Sequence, residues 1–106
     1  MSVKREVKES PLKQGVEESI SYFLTTTPWG SSPSSVAVVV KDVTKGETLA
    51  DVTSTVMPTN SPSVSGDVIT LSPLKLLTVD HKYRVEIKFT CSGNTFEAFC
   101  HVLAET

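Results

Sequence analysis

A chain of 106 residues has the size of one domain and can bury a core without covalent staples. Its 15 Val against 8 Leu, with 27 Ser or Thr, lean towards sheet, because β-branched side chains fit a pleated, half-buried surface. Twelve acidic against ten basic residues, a formal charge of −2, argue against a nucleic-acid binder, which needs a concentrated cationic face.

The opening Met1 to Glu9 carries charges where a signal peptide needs an apolar run, and no stretch reaches the ~20 apolar residues of a membrane span. The chain therefore reads as a soluble protein synthesised in the cytoplasm. Val3 to Glu9 alternates weakly, so residues 1–14 form an edge strand or a flexible arm on a single domain spanning 1–106. Ser10-Pro11 breaks that segment, and Leu12 to Gly15 reads as a connection. Ile20, Tyr22 and Leu24 share one face of the next strand, which turns Phe23 outward. Thr25 to Ser35 is a loop whose Trp29 is expected to pack over one end of the core.

Val36 to Val43 is nearly continuous valine, the pattern of a central strand. Thr44 to Gly46 is a turn, and Asp51 to Val56 reads as a short strand. Met57 to Gly66 reads as a proline- and serine-rich loop. Asp67 to Leu71 is a strand with Ile69 and Leu71 on one face, and Leu74 to Val79 crosses over to the next. From Tyr83 to Cys91 every second residue is apolar, the period of a strand with one buried and one wet face. Ser92-Gly93-Asn94 then leads into Thr95 to Leu103, giving a hairpin. The last strand is a candidate free edge, with Phe99 and Leu103 outward.

About seven short strands separated by turns predict an all-β, antiparallel sandwich or barrel. Asp80 to Tyr83 narrows this to an immunoglobulin-like Greek key. A tyrosine at the start of the penultimate strand can fold its hydroxyl onto the preceding backbone, forming a tyrosine corner. With the hairpin loop centred on Gly93-Asn94, Cys91 faces about Phe96, which leaves Cys100 ~13 Å further along the strand. A disulfide needs Cα atoms within ~7 Å, so the two thiols are expected to stay reduced in the core.

Chemistry is sparse. His81 and His101 lack metal-pair spacing, and the cysteines lack CxxC spacing. His81 reads as a solvated turn residue and His101 as an outward strand residue. Cys100 and His101 are adjacent and so point to opposite faces. Glu17, Glu18, Asp42, Asp51, Asp67 and Asp80 form no dense acidic loop of the calcium-binding kind. No nucleophile elbow or phosphate loop is present. No catalytic residue, metal or cofactor is expected, and the chain reads as a non-enzyme. Outward apolar residues mark contact surfaces instead: Phe23, Phe99 and Leu103, with Trp29 as a loop anchor, facing other proteins, a second copy among them.

The family signal lies in the order of several pieces. These are Val16 to Tyr22 with Trp29 following, Ser35 to Asp42, Asp51 to Ser54, Ser65 to Thr70, Leu77 to Glu86, and Gly93 to Ala98. The motifs are the Glu18-x-Ile20-x-Tyr22…Trp29 opening, the Val64-Ser65-Gly66-Asp67-x-Ile69-Thr70 strand and the Leu77-Thr78…Tyr83-Arg84 ending, which encode sandwich architecture more than activity. Over roughly residues 10–103 the chain resembles the small phage and prophage fiber–tail adaptor or tail-completion proteins with an immunoglobulin-like fold. It departs from them at Asp80, where glycine is commoner, and in its lysine-rich beginning. The resemblance implies a structural or assembly component of a virion or prophage tail, and it transfers no site residues. A carbohydrate- or cell-surface-binding β-module, with Trp29 and the proline-serine loops lining a groove, is the alternative.

Overall fold

A computed structural model of the chain describes residues 2–6, 12–27, 30, 32–44, 50–91 and 93–105. In chain order its elements are β1 (Ser2–Glu6), β2 (Leu12–Gly15), β3 (Phe23–Thr25), β4 (Ser34–Asp42), β5 (Ala50–Asp51), α1 (Thr53–Val56), β6 (Ser63–Ser65), β7 (Val68–Thr70), β8 (Lys82–Cys91) and β9 (Asn94–Glu105). The larger sheet runs β1-β9-β8-β4-β5, with β2 also paired to β9, and the smaller runs β3-β7-β6. The chain is mostly strand and forms two sheets, as expected of an all-β protein.

The β8–β9 hairpin shows why the larger sheet forms. Tyr83, Val85, Ile87, Phe89 and Cys91 are buried, and so are Ala98, Cys100, Val102 and Ala104 opposite them. Leu24, Ile69, Leu71, Leu74, Leu77, Val56 and Met57 complete the same apolar cluster from the other side. Phe89 and Phe96, cross-strand partners, tilt against each other with ring centroids 5.9 Å apart. The valine run of β4 lies between β8 and β5, with Val38 and Val40 buried. A register shift between Ser34 and Ala37, where Ser35 has φ 52°, bends the start of that strand.

Several expectations are corrected. Nine strands are present among the described residues rather than about seven. Leu12–Gly15 is a strand, not a connection, because it pairs with β9 from Leu12↔Val102 to Gly15↔Glu105. That pairing and the one between β1 and β9 are parallel, so the sheet is mixed rather than antiparallel. They also remove the free edge expected of the last strand, which lies inside the sheet.

Asp51–Val56 is not one strand. After two strand residues, Asp51 Oδ1 accepts the Thr53 amide and hydroxyl at 3.0 and 2.6 Å, and the chain turns into a single helical turn. Thr53 Oγ1 in turn accepts the Val40 N–H at 2.9 Å, which ties the turn to the sheet. The segment read as a loop from Met57 to Gly66 contains β6, an edge strand whose three residues are all exposed.

The hairpin register also differs by two residues. Cys91 faces Asn94 and Cys100 faces Val85, so the sulfurs lie further apart than the sequence suggested, roughly 20 Å along the strand. Both cysteines are buried and neither forms a disulfide. The crossover into β8 closes as expected: the Tyr83 hydroxyl accepts the Thr78 N–H at 2.8 Å, with Tyr83 itself buried. Among the described residues no helix is long and apolar enough to cross a membrane.

Candidate interaction surface

The four candidate contact residues do not form one surface. Trp29 lies outside the described residues. Phe99 and Leu103 lie on the outer face of the larger sheet, because their neighbours Ala98, Cys100, Val102 and Ala104 point into the core. Phe23 lies on the outer face of the smaller sheet, since Leu24 and its partner Ile69 point inward. Two stacked sheets put these faces on opposite sides of the molecule.

On the larger sheet, register places Glu86 opposite Phe99, and Arg84 opposite His101. The Arg84 guanidinium lies 4.4 Å from the centroid of the Phe99 ring, within cation–π range. His101 meets that ring edge-on at 5.5 Å. Glu86 stands between two cations, 3.0 Å from Arg84 Nε and 3.5 Å from Lys41 Nζ. The Arg84 Nε–H is buried without a well-aligned acceptor, so the close approach to Glu86 is an ion pair and not a directed hydrogen bond. Phe99 is thus half-buried under charged side chains. Leu103, also half-buried, lies in register between Lys82 and Lys13.

On the smaller sheet Phe23 is 70% exposed. Its cross-strand row continues through Thr70 to Ser63, and the next row is Thr25, Val68 and Ser65. All of these are exposed except the half-buried Val68. An aromatic ring therefore stands on an uncharged face rich in hydroxyls.

A polar cluster at the end of β4 escaped the sequence reading. His81 Nδ1 lies 2.7 Å from Asp42 Oδ2, so His81 is anchored and not merely solvated. Asp42 Oδ1 accepts the Thr44 amide at 3.0 Å and the Thr44 hydroxyl at short range. Burial alone would raise the Asp42 pKa, but the hydrogen bonds from Thr44 and then His81 outweigh it and hold the carboxyl below its ordinary value. The hydroxyl here bonds to the carboxylate and not to the imidazole. The arrangement is thus not a hydroxyl–imidazole–carboxylate relay, and its hydrogen bonds fasten the turn.

A shallow concavity lined by Gly15, Val16, Glu17, Glu18 and Glu105 is acidic. Glu18 spends one carboxylate oxygen on the Gly15 N–H at 2.6 Å. Among the described residues no group of three or more His, Cys, Asp or Glu is placed to hold a metal ion. Compared with protein-family models, with curated proteins and with solved structures, the chain finds no match.

Proposed function

We propose that this protein is an immunoglobulin-like, Greek-key sandwich that acts as a non-enzymatic structural or assembly component of a phage or prophage tail. The fold half of this reading is supported by strand order. β3, β7 and β6 make one sheet, β1, β9, β8, β4 and β5 the other, and β1 and β2 run parallel to the last strand. The Tyr83–Thr78 closure is the kind of corner such sandwiches use. The role rests on the ordered sequence resemblance from Val16 to Ala98.

The observation that carries the contact-surface reading is Phe23, 70% exposed on a flat and uncharged sheet face. Covering that ring would recover the burial energy that its exposure forgoes, which a docked partner could supply. The same ring among the hydroxyls of Thr25, Thr70 and Ser63 is also what favours the alternative, a carbohydrate- or cell-surface-binding module.

The test is particle association. Particles from cells expressing the tagged chain with its neighbouring genes are banded on a density gradient and analysed by peptide mass spectrometry. Co-banding at a fixed copy number is the expected result. A protein confined to the soluble fraction while intact particles form overturns the structural role.

A further inference from the structure

Sheet edges invite other strands, and natural proteins blunt them with charge, proline, glycine kinks or short length. Three edges here carry such protection. β1 includes Lys4, Arg5 and Glu6, β5 has only two residues, and β6 is bracketed by Pro62 and by Gly66 at φ 58°. β3, three residues long, lacks the other devices: from Ser19 to Thr27 the sequence contains no charge, glycine or proline. No described strand lies on its outer side.

Its backbone is also oriented to receive one. Ile20 exchanges both hydrogen bonds with Leu74, at 3.1 and 2.9 Å, Tyr22 C=O accepts from Leu71 at 2.8 Å, and the Thr26 N–H donates to Asp67 at 2.7 Å. The Ile20 amide and carbonyl, the Tyr22 carbonyl and the Thr26 N–H thus point into the sheet, and antiparallel geometry turns the polar groups of Ser21, Phe23 and Thr25 away from it.

We infer that this edge pairs antiparallel with the same edge of a second copy, about a two-fold axis through Phe23. In that register Ser21 faces Thr25 of the other copy and Phe23 faces its equivalent, each pair exchanging two backbone hydrogen bonds, about six in all. The two exposed rings meet on the outer face, while Tyr22 faces Leu24 and Ile20 faces Thr26. Every pair is apolar or hydroxyl-bearing, and Glu17 and Glu18 fall beyond the paired segment, so no like charges meet. The segment pairs with itself about a two-fold axis without any like-charge contact, and a copy of this chain is the occupant proposed for it. A short edge buries less than the ~1,200 Å² of a stable interface, so the dimer is weak, with a Kd on the order of 10–1,000 µM.

This pairing rests on the contact-surface reading and is tested apart from particle association. Sedimentation velocity from about 10 µM to 1 mM is run on the wild type, Phe23→Lys, Ser21→Pro and Phe99→Lys. The wild type and Phe99→Lys should rise towards dimer mass, and Phe23→Lys and Ser21→Pro should stay monomeric. Both blocking changes lie at exposed positions whose outward N–H is not used in the sheet, and unchanged urea midpoints verify the fold. Hydrogen exchange at Phe23 and Thr25 should slow at least threefold at the high concentration. A wild type monomeric at 1 mM overturns the pairing even if it co-bands with particles. Dimerisation that survives both blocking changes, or exchange at Phe23 independent of concentration, also overturns it. So does slowing of Phe23 exchange by added oligosaccharide at constant mass, which would make the ring a sugar platform.

Discussion

Replacing Gln14 with methionine tests whether β2 is fastened through its buried amide. Gln14 is fully buried, at 0% exposure, on a strand of the larger sheet. Its Nε2 donates to the Leu74 carbonyl at 2.6 Å and the Glu18 carbonyl at 3.1 Å, and its Oε1 accepts the Tyr22 hydroxyl at 2.8 Å. The side chain therefore links β2 to the run that leads into β3 and to the crossover behind it. Methionine keeps the volume and removes all three bonds. A net hydrogen bond is worth about 1 kcal/mol, and a partner stranded in the interior costs about 1–3 kcal/mol. Leu74 C=O keeps the Ile20 N–H at 3.1 Å, and Tyr22 is only half-buried, so relief is partial at both. The expected loss is about 2–3 kcal/mol, a fall in Tm of roughly 10–20 °C for a domain of this size. Urea titration followed by circular dichroism measures it. The double variant with Tyr22→Phe should recover about 1 kcal/mol of coupling between the two residues. A single-variant loss below about 0.5 kcal/mol would refute the reasoning, because the amide bonds would then be worth no more than a well-packed thioether.

Tyr83→Phe removes the acceptor of the Thr78 N–H and should cost about 1–2 kcal/mol in urea unfolding, with faster exchange of the Thr78 amide; unchanged exchange there argues that the corner contributes nothing. Asp42 has a lowered native pKa, so its contribution to stability is present above the ordinary carboxyl value of 3.8 and is lost as pH falls through the lower native value. Asp42→Asn should therefore be less stable than wild type at pH 7 and lose less stability on titration to about pH 2, and parallel acid limbs for the two proteins contradict this. Leu76 holds φ 59° while 63% exposed, so it bears the left-handed backbone cost with little burial to offset it. Leu76→Gly should raise stability by about 0.5 kcal/mol, the relieved strain less the added freedom of the unfolded chain, and a drop in urea midpoint counts against it.

The sequence spoke most clearly where burial follows the two-residue period of a strand. Tyr83 to Cys91 alternate as read, which buries Cys91, and the same period along β9 buries Cys100. It spoke least where hydrogen bonding overrides pattern. β2 holds a core position with glutamine, which a hydropathy reading turns outward and which is buried only because Leu74, Glu18 and Tyr22 satisfy its amide. Thr53 to Val56 have strand propensity, yet Asp51 and the contact of Thr53 with Val40 bend them into a helical turn. β6 was invisible because it buries no side chain. On the candidate surface, alternation correctly turned Phe23 outward. It could not show that Arg84 lies over Phe99, because the two stand diagonally across strands and only the register brings them together. The Asp42–His81 bond joins positions 39 residues apart and leaves no local trace.

The parallel docking of β1 and β2 on β9 governs when this molecule can be completed. Leu12 meets Val102 roughly ninety positions later, and closures of that span are among the slowest in small domains. While the polypeptide is being made, the first strands wait for a mate that leaves the ribosome after nearly everything else here. Until then the apolar side of β8 also lacks its neighbour. This stretch is consequently completed only once β9 has been made, and the waiting intermediate is the species most exposed to aggregation or to chaperone capture.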